Sequence, residues 1–306
     1  MEKFGRIKRV LWSVLCANLL VALVKIGIGA IIKSVSMTAD GFHSLADGSA
    51  NLVGLIAIYF AAKPVDEDHP YGHKKFETVA AVLIAQKLGF LGFKVLTRAV
   101  RGLANPEVPA ISTASLLVLA GTLVINVFVA GYERKMGKRL QSDILLADSA
   151  HTRSDIYITV GVLLALTGIK LGLPARVDSL ISLVVAVVIF QAALEIFLTA
   201  AGTLTDRAAI DRKTIAELVY QFKEVKDVHQ IRSRGRADEV YVDLHIETDP
   251  AMSVEDWHQL SHEIEEMIRS STGKAVQTLI HVEPHVPDAP KQELVAPAGK
   301  LEQAKG

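Results

Sequence analysis

Cysteine is nearly absent from this 306-residue chain. The one thiol, Cys16, lies in an apolar run, which excludes an internal disulfide and reads as a small buried hydrophobe. Net charge is also missing: 33 basic residues balance 33 acidic ones, so no overall basic field points to a nucleic-acid partner. Aromatic residues make up only 6% of a chain that is 50% hydrophobic and has a positive mean hydropathy. The surplus is Ala, Val, Leu and Ile, almost all of it before residue 205, a composition that soluble domains seldom have. The basic, apolar N-terminus "MEKFGRIKRVLWSVLCANLLVALVKIGIGA" lacks a convincing small-residue cleavage site and is too long for a signal peptide. It reads as a membrane span that is kept.

A helix crossing a bilayer needs roughly 20 mostly apolar residues. Six stretches qualify: Val10–Ile32, Met37–Ala62, Thr78–Val100, Ser112–Tyr132, Leu145–Leu171 and Leu180–Leu204. The third carries Gln86, Lys87 and Lys94, which are expected to face other helices or the interface. Basic residues concentrate at the N-terminus (Lys3, Arg6, Lys8, Arg9), between stretches two and three (Lys63, Lys74, Lys75) and between four and five (Arg134, Lys135, Lys138, Arg139). That bias places both termini in the cytoplasm and makes the chain a multi-pass integral protein, expected in the inner (plasma) membrane.

After Thr205 the pattern changes. "DRKTIAELVYQFKEV" has apolar residues at helical spacing, "VHQIRSR" and "EVYVDLHIET" read as strands, "SVEDWHQLSHEIEEMIRSS" as an amphipathic helix capped by Ser253, and "AVQTLIHVEP" as a last strand. The expected organisation is a six-helix transmembrane domain over 1–204, an αββαβ cytoplasmic α+β domain over 205–287, and a Pro- and Ala-rich disordered tail over 288–306.

The chemistry lies in a repeat. Ala39–Asp47, "ADGFHSLAD", and Ala147–Asp155, "ADSAHTRSD", share A-D-x-x-H-x-x-x-D inside apolar stretches two and five. Residues four apart on a helix lie on one face, so His43 projects with Asp47 and His151 with Asp155. Alone, such a pair is more often an interhelical hydrogen-bonding pair than a ligand pair. Two copies in separate apolar spans are harder to satisfy without a cation, because packed carboxylates repel. Opposed, the two faces offer two imidazoles and two carboxylates, a tetrahedral set suited to zinc. Asp40 and Asp148 lie one turn earlier. They are expected toward the outer mouth of the cavity, attracting the cation or relaying protons, and as helix N-caps they are explained equally well.

Two further groups follow. In "PVDEDHPYGHKKFET", Asp66, His69 and His73 are spaced to surround a cation in a loop held by Pro70 and Gly72, although an ordinary polar loop has the same look. The C-terminal stretch holds His229, His245, His258, His262, His281 and His285, six of ten histidines, with Glu283 beside the last two. Singly these are ordinary surface residues; clustered on strand ends and one helix they read as metal ligands. No H-E-x-x-H occurs in any apolar stretch, and four protein ligands leave no site for water, which argues against an intramembrane zinc hydrolase.

These residues resemble the cation diffusion facilitator family, zinc-transporter-type metal/proton antiporters, over the chain to about residue 287. The most specific signals are the "DEDHPYGHKKFE" loop after the second span and the repeated His/Asp motif. The resemblance implies a homodimer that exports Zn2+ or another divalent cation (Fe2+, Mn2+, Co2+ or Cd2+) in exchange for protons, without enzyme activity; the alternative is a non-transporting relative serving as a metal-sensing membrane scaffold, against which the intact His/Asp tetrad argues. It implies a transport site of His43, Asp47, His151 and Asp155 and a loop site of Asp66, His69 and His73. A cytoplasmic cluster shared across the dimer falls on His229, His245, His258, His281, Glu283 and His285, in a metallochaperone-like domain. A structural charge pair falls on Lys75 and Asp206. Many bacterial members have Asp where this chain has His43.

Overall fold

The computed structural model describes residues 2–31, 42, 44, 45, 48–105, 113–174 and 176–286. Asp40, His43 and Asp47 of the first motif copy lie outside the described residues, as does the tail over 288–306. The chain divides into two compact units, Met1–Leu204 and Thr205–Gly306.

Among the described residues, the regular structure of the first unit is all helix: α1 (Glu2–Ile31), α2 (Ser49–Ala61), α3 (Lys75–Ala104), α4 (Thr113–Leu140), α5 (Asp143–Lys170) and α6 (Arg176–Leu204). Among the described residues, α1, α3, α5 and α6 are long and apolar enough to cross a membrane. These are four of the six expected spans. The second expected span is described only as the 13-residue apolar helix α2, and the fourth as the 28-residue helix α4. At 1.5 Å per residue, a 30-residue helix such as α3 is ~45 Å long and overreaches a ~30 Å hydrocarbon layer. Its ends are accordingly polar, with Lys75 first and Arg101 in the last turn.

Small residues let these helices approach. α3 packs most extensively on α6, around Leu88, Ile189 and Ala193. A second apolar cluster joins Leu11 of α1, Ile58 of α2, Ile84 of α3 and Ile144 of α5. A Cβ on Gly54 would stand 3.2 Å from Ile144 Cδ1 and 3.3 Å from Leu11 Cδ2, so glycine is what lets α2 lie in the groove between α1 and α5. Cys16, expected to be buried, is exposed on α1. In a lipid-facing helix an apolar side chain has no need of a protein interior.

The start of α5 is fixed by polar contacts with α3. Ser142 accepts from the Leu145 amide as N-cap and donates to Glu77 Oε1, while Thr78 donates to Asp143 at 3.0 Å. Glu77 and Ser142 are fully buried, so each is the other's means of leaving water.

The second unit runs α7 (Arg212–Val219), β1 (Asp227–Gly235), β2 (Glu239–Thr248), α8 (Val254–Thr272) and β3 (Ala275–Pro284). Its sheet has the order β1-β2-β3, with β1 antiparallel and β3 parallel to β2. The parallel pair requires a crossover, which α8 supplies. Ser253 caps α8 by accepting from the Asp256 amide at 3.1 Å. Along β2, Val240, Val242, Leu244 and Ile246 are buried against Ile215 and Val219 of α7 and Leu260, Ile264 and Ile268 of α8. The alternate residues, among them His245 and Glu247, therefore occupy the sheet face turned away from the helices.

Strand β1 contains a bulge between His229 and Arg232, with Gln230 at φ +49°. Asp227 and His229 sit opposite Glu247 and His245, and beyond the bulge Arg232 sits opposite Asp243. Both halves of β1 thus turn polar residues to the outer face, while Val228 and Ile231 are buried.

Candidate metal centres

The loop between α2 and α3 gathers Asp66, His69 and His73, whose ligand atoms all lie within 4.8 Å of one another. Gly72, at φ +79°, turns the chain, and its amide donates to the His69 carbonyl at 2.9 Å. The His69 amide donates to Asp66 Oδ1 at 2.7 Å, and the His69 and His73 rings lie 4.2 Å apart. His73 is buried; its Nδ1 faces the Pro64 carbonyl at 3.0 Å and its Nε2 faces Asp66 Oδ2 at 3.3 Å. Burial raises the Asp66 pKa, but the His69 amide and the two imidazoles outweigh it and hold the carboxyl below its ordinary range.

On the outer sheet face, strand register builds two rows. His229, His245 and His281 stand opposite one another across the three strands, and Asp227, Glu247 and Glu283 do the same one step along. Ligand atoms of His229, His245 and Glu283 lie within 4.8 Å of one another, as do those of Asp227, His229 and Glu247. Glu283 Oε1 is 2.8 Å from His245 Nδ1 and 3.6 Å from His281 Nε2. The hydrogen bond to His245 holds the Glu283 carboxyl below its ordinary range, against a smaller contribution from burial that raises it. His229 is 8% exposed, and its Nε2, buried and without a hydrogen-bond partner, points toward Glu283 Oε2 at 3.4 Å. A buried, unsatisfied imidazole nitrogen beside a second imidazole and a carboxylate fits a zinc-type donor set.

His285 pairs with Glu247 at 2.8 Å, beside the histidine row rather than in it. His258 is not brought into either group. It lies exposed on α8, edge-on to His262 with rings 4.6 Å apart, because the helix packs its Leu260–Ile264–Ile268 stripe on the opposite face of the sheet. Asp227 and Glu247 were not singled out from the sequence. The signal was there: each strand carries a carboxylate two residues from a histidine, as "DVH", "HIE" and "HVE".

In the membrane unit, His151 is 4% exposed and Asp155 half-buried on α5. Asp148 is not an N-cap, since Ser142 caps this helix. Asp148 is buried and accepts a hydrogen bond from Asn51 of α2, which in turn accepts from Asn18 of α1 at 3.0 Å. Because α5 starts at the α4–α5 link, Asp148 lies on the link side of His151. Thr152, next to His151, donates to the buried Glu133 of α4 at 3.1 Å. Lys75 opens α3, and Asp206, at φ +55°, follows α6.

Long apolar helices, followed by a small mixed sheet bearing imidazole–carboxylate groups, define a multi-pass membrane protein that handles metal ions. The cation efflux transmembrane domain matches residues 11–205, and the cytoplasmic domain of cation efflux proteins matches 208–285. The chain belongs to the cation efflux family, the cation diffusion facilitators, which are transporters and not enzymes. It is 31% identical to an uncharacterized transporter of Methanocaldococcus jannaschii, over 83% of this chain and 90% of that one. It is 30% identical to the cation-efflux pump FieF of Pectobacterium atrosepticum, over 86% and 88% of the two chains. It is 27% identical to the manganese efflux system protein MneS of Bacillus subtilis, over 93% and 99%.

Proposed function

We propose that this cation efflux protein exports divalent metal ions from the cytoplasm in exchange for protons, with Zn2+ as cargo, around His43, Asp47, His151 and Asp155. The observation that carries the reading is the hydrogen bond from Asn51 of α2 to Asp148 of α5. Asn51 lies four residues after Asp47, and Asp148 three before His151, so each belongs to the helical stripe of its own motif copy. A contact between those stripes supports opposed motif faces.

The donor set favours zinc: two imidazoles and two carboxylates satisfy a tetrahedral d10 ion. Neutral imidazole ligates and imidazolium does not, so loading releases protons and acidity on the far side expels the metal. Free imidazole changes charge near neutral pH, which suits it to this exchange. Alternating access then moves the site between the two faces of the membrane. With both termini cytoplasmic, in the cell's inner membrane, Asp148 stands on the cytoplasmic approach to His151. In this reading the protein is a homodimer whose sheet unit binds zinc through His229, His245, His281 and Glu283 and stiffens when cytoplasmic zinc rises, with the loop of Asp66, His69 and His73 as a further cation site. Manganese is the second reading, since MneS is named a manganese efflux protein and carboxylates suit Mn2+ well.

Reconstitution in liposomes with an enclosed zinc dye tests the proposal. An imposed pH gradient should drive zinc uptake, and Asp155→Ala and Asp47→Ala should each slow it by at least about tenfold, equivalent to ~1.4 kcal/mol. Uptake unchanged in both variants sinks the site, and manganese moving while zinc does not selects the second reading.

A further inference from the structure

Glu133 of α4 and Asp148 of α5 are carboxyl groups almost sealed from solvent, at 0% and 3% exposure. Their side chains are hydrogen-bonded to each other, which two carboxylates cannot be unless one oxygen carries a proton. Asn51 of α2 donates to Asp148 and so favours the anion on that side. Glu133 has the poorer surroundings for charge. Its Oε1 is buried with no hydrogen-bond partner, a position that suits the carbonyl oxygen of a neutral acid and penalises a carboxylate. Its Oε2 meets the Thr152 hydroxyl at 3.1 Å. That hydroxyl also faces the Asp148 backbone carbonyl at 3.2 Å, and with a single hydrogen it serves one acceptor at a time. Turned to the carboxyl group, it donates to a Glu133 anion. Turned to the carbonyl, it accepts from a Glu133 acid. The same neighbour thus satisfies both protonation states of Glu133.

We infer that Glu133 is a proton-carrying group of the exporter. With Asp148 it holds one proton while the neighbouring His151–Asp155 site is without cargo, and it releases that proton when a divalent cation arrives. The charged and titratable groups facing the pair are Asp155 and His151 of α5 and Lys87 of α3. Asp155 repels a Glu133 anion. A divalent cation on Asp155 reverses the sign of that field, and in the low dielectric between helices the change reaches across several ångströms. The Glu133 O–H bond then breaks, and the proton passes to cytoplasmic water by way of Asp148, which lies on the link side of His151. Once the cargo has left on the far side, a proton taken from that side restores the acid, so this pair moves one proton against each cation. Glu133 is hydrogen-bonded to Thr152 and Asp148, neither of them a proposed ligand. It therefore sets the proton count and not the coordination.

The inference rests on the export reading at His151 and Asp155, and its test separates the two. Full-length protein in detergent, weakly buffered near neutral pH with a pH indicator, is titrated with Zn2+, and bound zinc is counted by elemental analysis. Subtracting the same titration of Asp155→Ala isolates the share of the transport site. Glu133→Gln, which keeps the shape and removes the titrating group, should release about one proton fewer per zinc with the zinc count unchanged. Glu133→Asp should restore the release, and in the Asp155→Ala background Glu133→Gln should change nothing. Unchanged proton release in Glu133→Gln overturns the proposal and leaves Glu133 a packing group. A lost zinc overturns it equally, by making Glu133 a ligand. If Asp155→Ala itself loses neither zinc nor proton release, the export site fails and this inference falls with it. Should Glu133→Gln not fold, zinc-induced infrared difference spectra of the wild type and Glu133→Asp carry the test. A protonated-carboxyl band must vanish in both and differ in frequency between them, and a band that is absent or identical overturns the proposal.

Discussion

His73 Nδ1 lies 3.0 Å from the carbonyl oxygen of Pro64. A carbonyl only accepts, so Nδ1 carries the proton and Nε2 presents its lone pair to the space beside Asp66. One backbone oxygen thereby chooses the nitrogen that can meet a metal, and the burial of His73 holds the ring in that pose. In the proposed loop site, His73→Ala removes a pre-oriented imidazole. Zinc affinity there should fall by roughly 10- to 100-fold, read by competition with a zinc dye in a variant already lacking Asp155.

Gly72 holds the same loop by conformation. A Cβ there would meet only Val65 Cγ1, at 3.7 Å, but the residue sits at φ +79°. Gly72→Ala should cost about 1–2 kcal/mol of local strain. The expected result is weaker zinc binding at the loop with transport-site binding unchanged, and equal loss at both sites would point to global unfolding instead.

Ser142 joins two helices that no loop holds in register. Its hydroxyl donates to the buried Glu77, and its oxygen caps α5. Ser142→Ala takes the cap from α5 and a donor from a buried carboxylate, a loss of about 1–3 kcal/mol. A lower thermal midpoint in detergent checks this. Ser142→Thr, which keeps the hydroxyl, should recover most of it.

Glu283 supplies a pH dependence in metal-stripped protein. Its carboxyl is held below the ordinary glutamate range, chiefly by the hydrogen bond to His245. A depressed carboxylate pKa adds stability that is present above the unfolded value and lost as pH falls through the folded one. Thermal midpoints should therefore decline as the solution is acidified below about 4.5, the ordinary glutamate range. Glu283→Gln should flatten part of that decline, and an unchanged slope would remove Glu283 from the account.

Much of this architecture was legible in the sequence. The αββαβ order of the second unit, the Ser253 cap and the loop of Asp66, His69 and His73 are found where periodicity and spacing put them. What failed to show depended on pairing between distant strands or helices. Asp227 and Glu247 are unremarkable until register sets them opposite each other and Glu283. His258 lies on the side of its own sheet that the helices cover, apart from the His229 group, and a count of histidines does not reveal that. Asp148 looked like a cap because its hydrogen-bond donor, Asn51, is 97 residues away. Glu77 lies in a polar stretch of sequence, yet it is buried against Ser142 across 65 residues of sequence. Composition sees none of these relations.

The bulge at Gln230 has a consequence for how this surface can change. Without that residue, β1 would read as an unbroken alternation, with Asp227, His229 and then Arg232 and Arg234 all turned outward. Gln230 is therefore a spare tooth: it can be lost without reversing any neighbour, but it bends the strand and so aims the His229 ring. A deletion there would leave every histidine and carboxylate of the outer face in the chain and the core intact while altering only the angle at which one imidazole approaches the other two strands. The approach angle of that imidazole is adjustable by curvature alone.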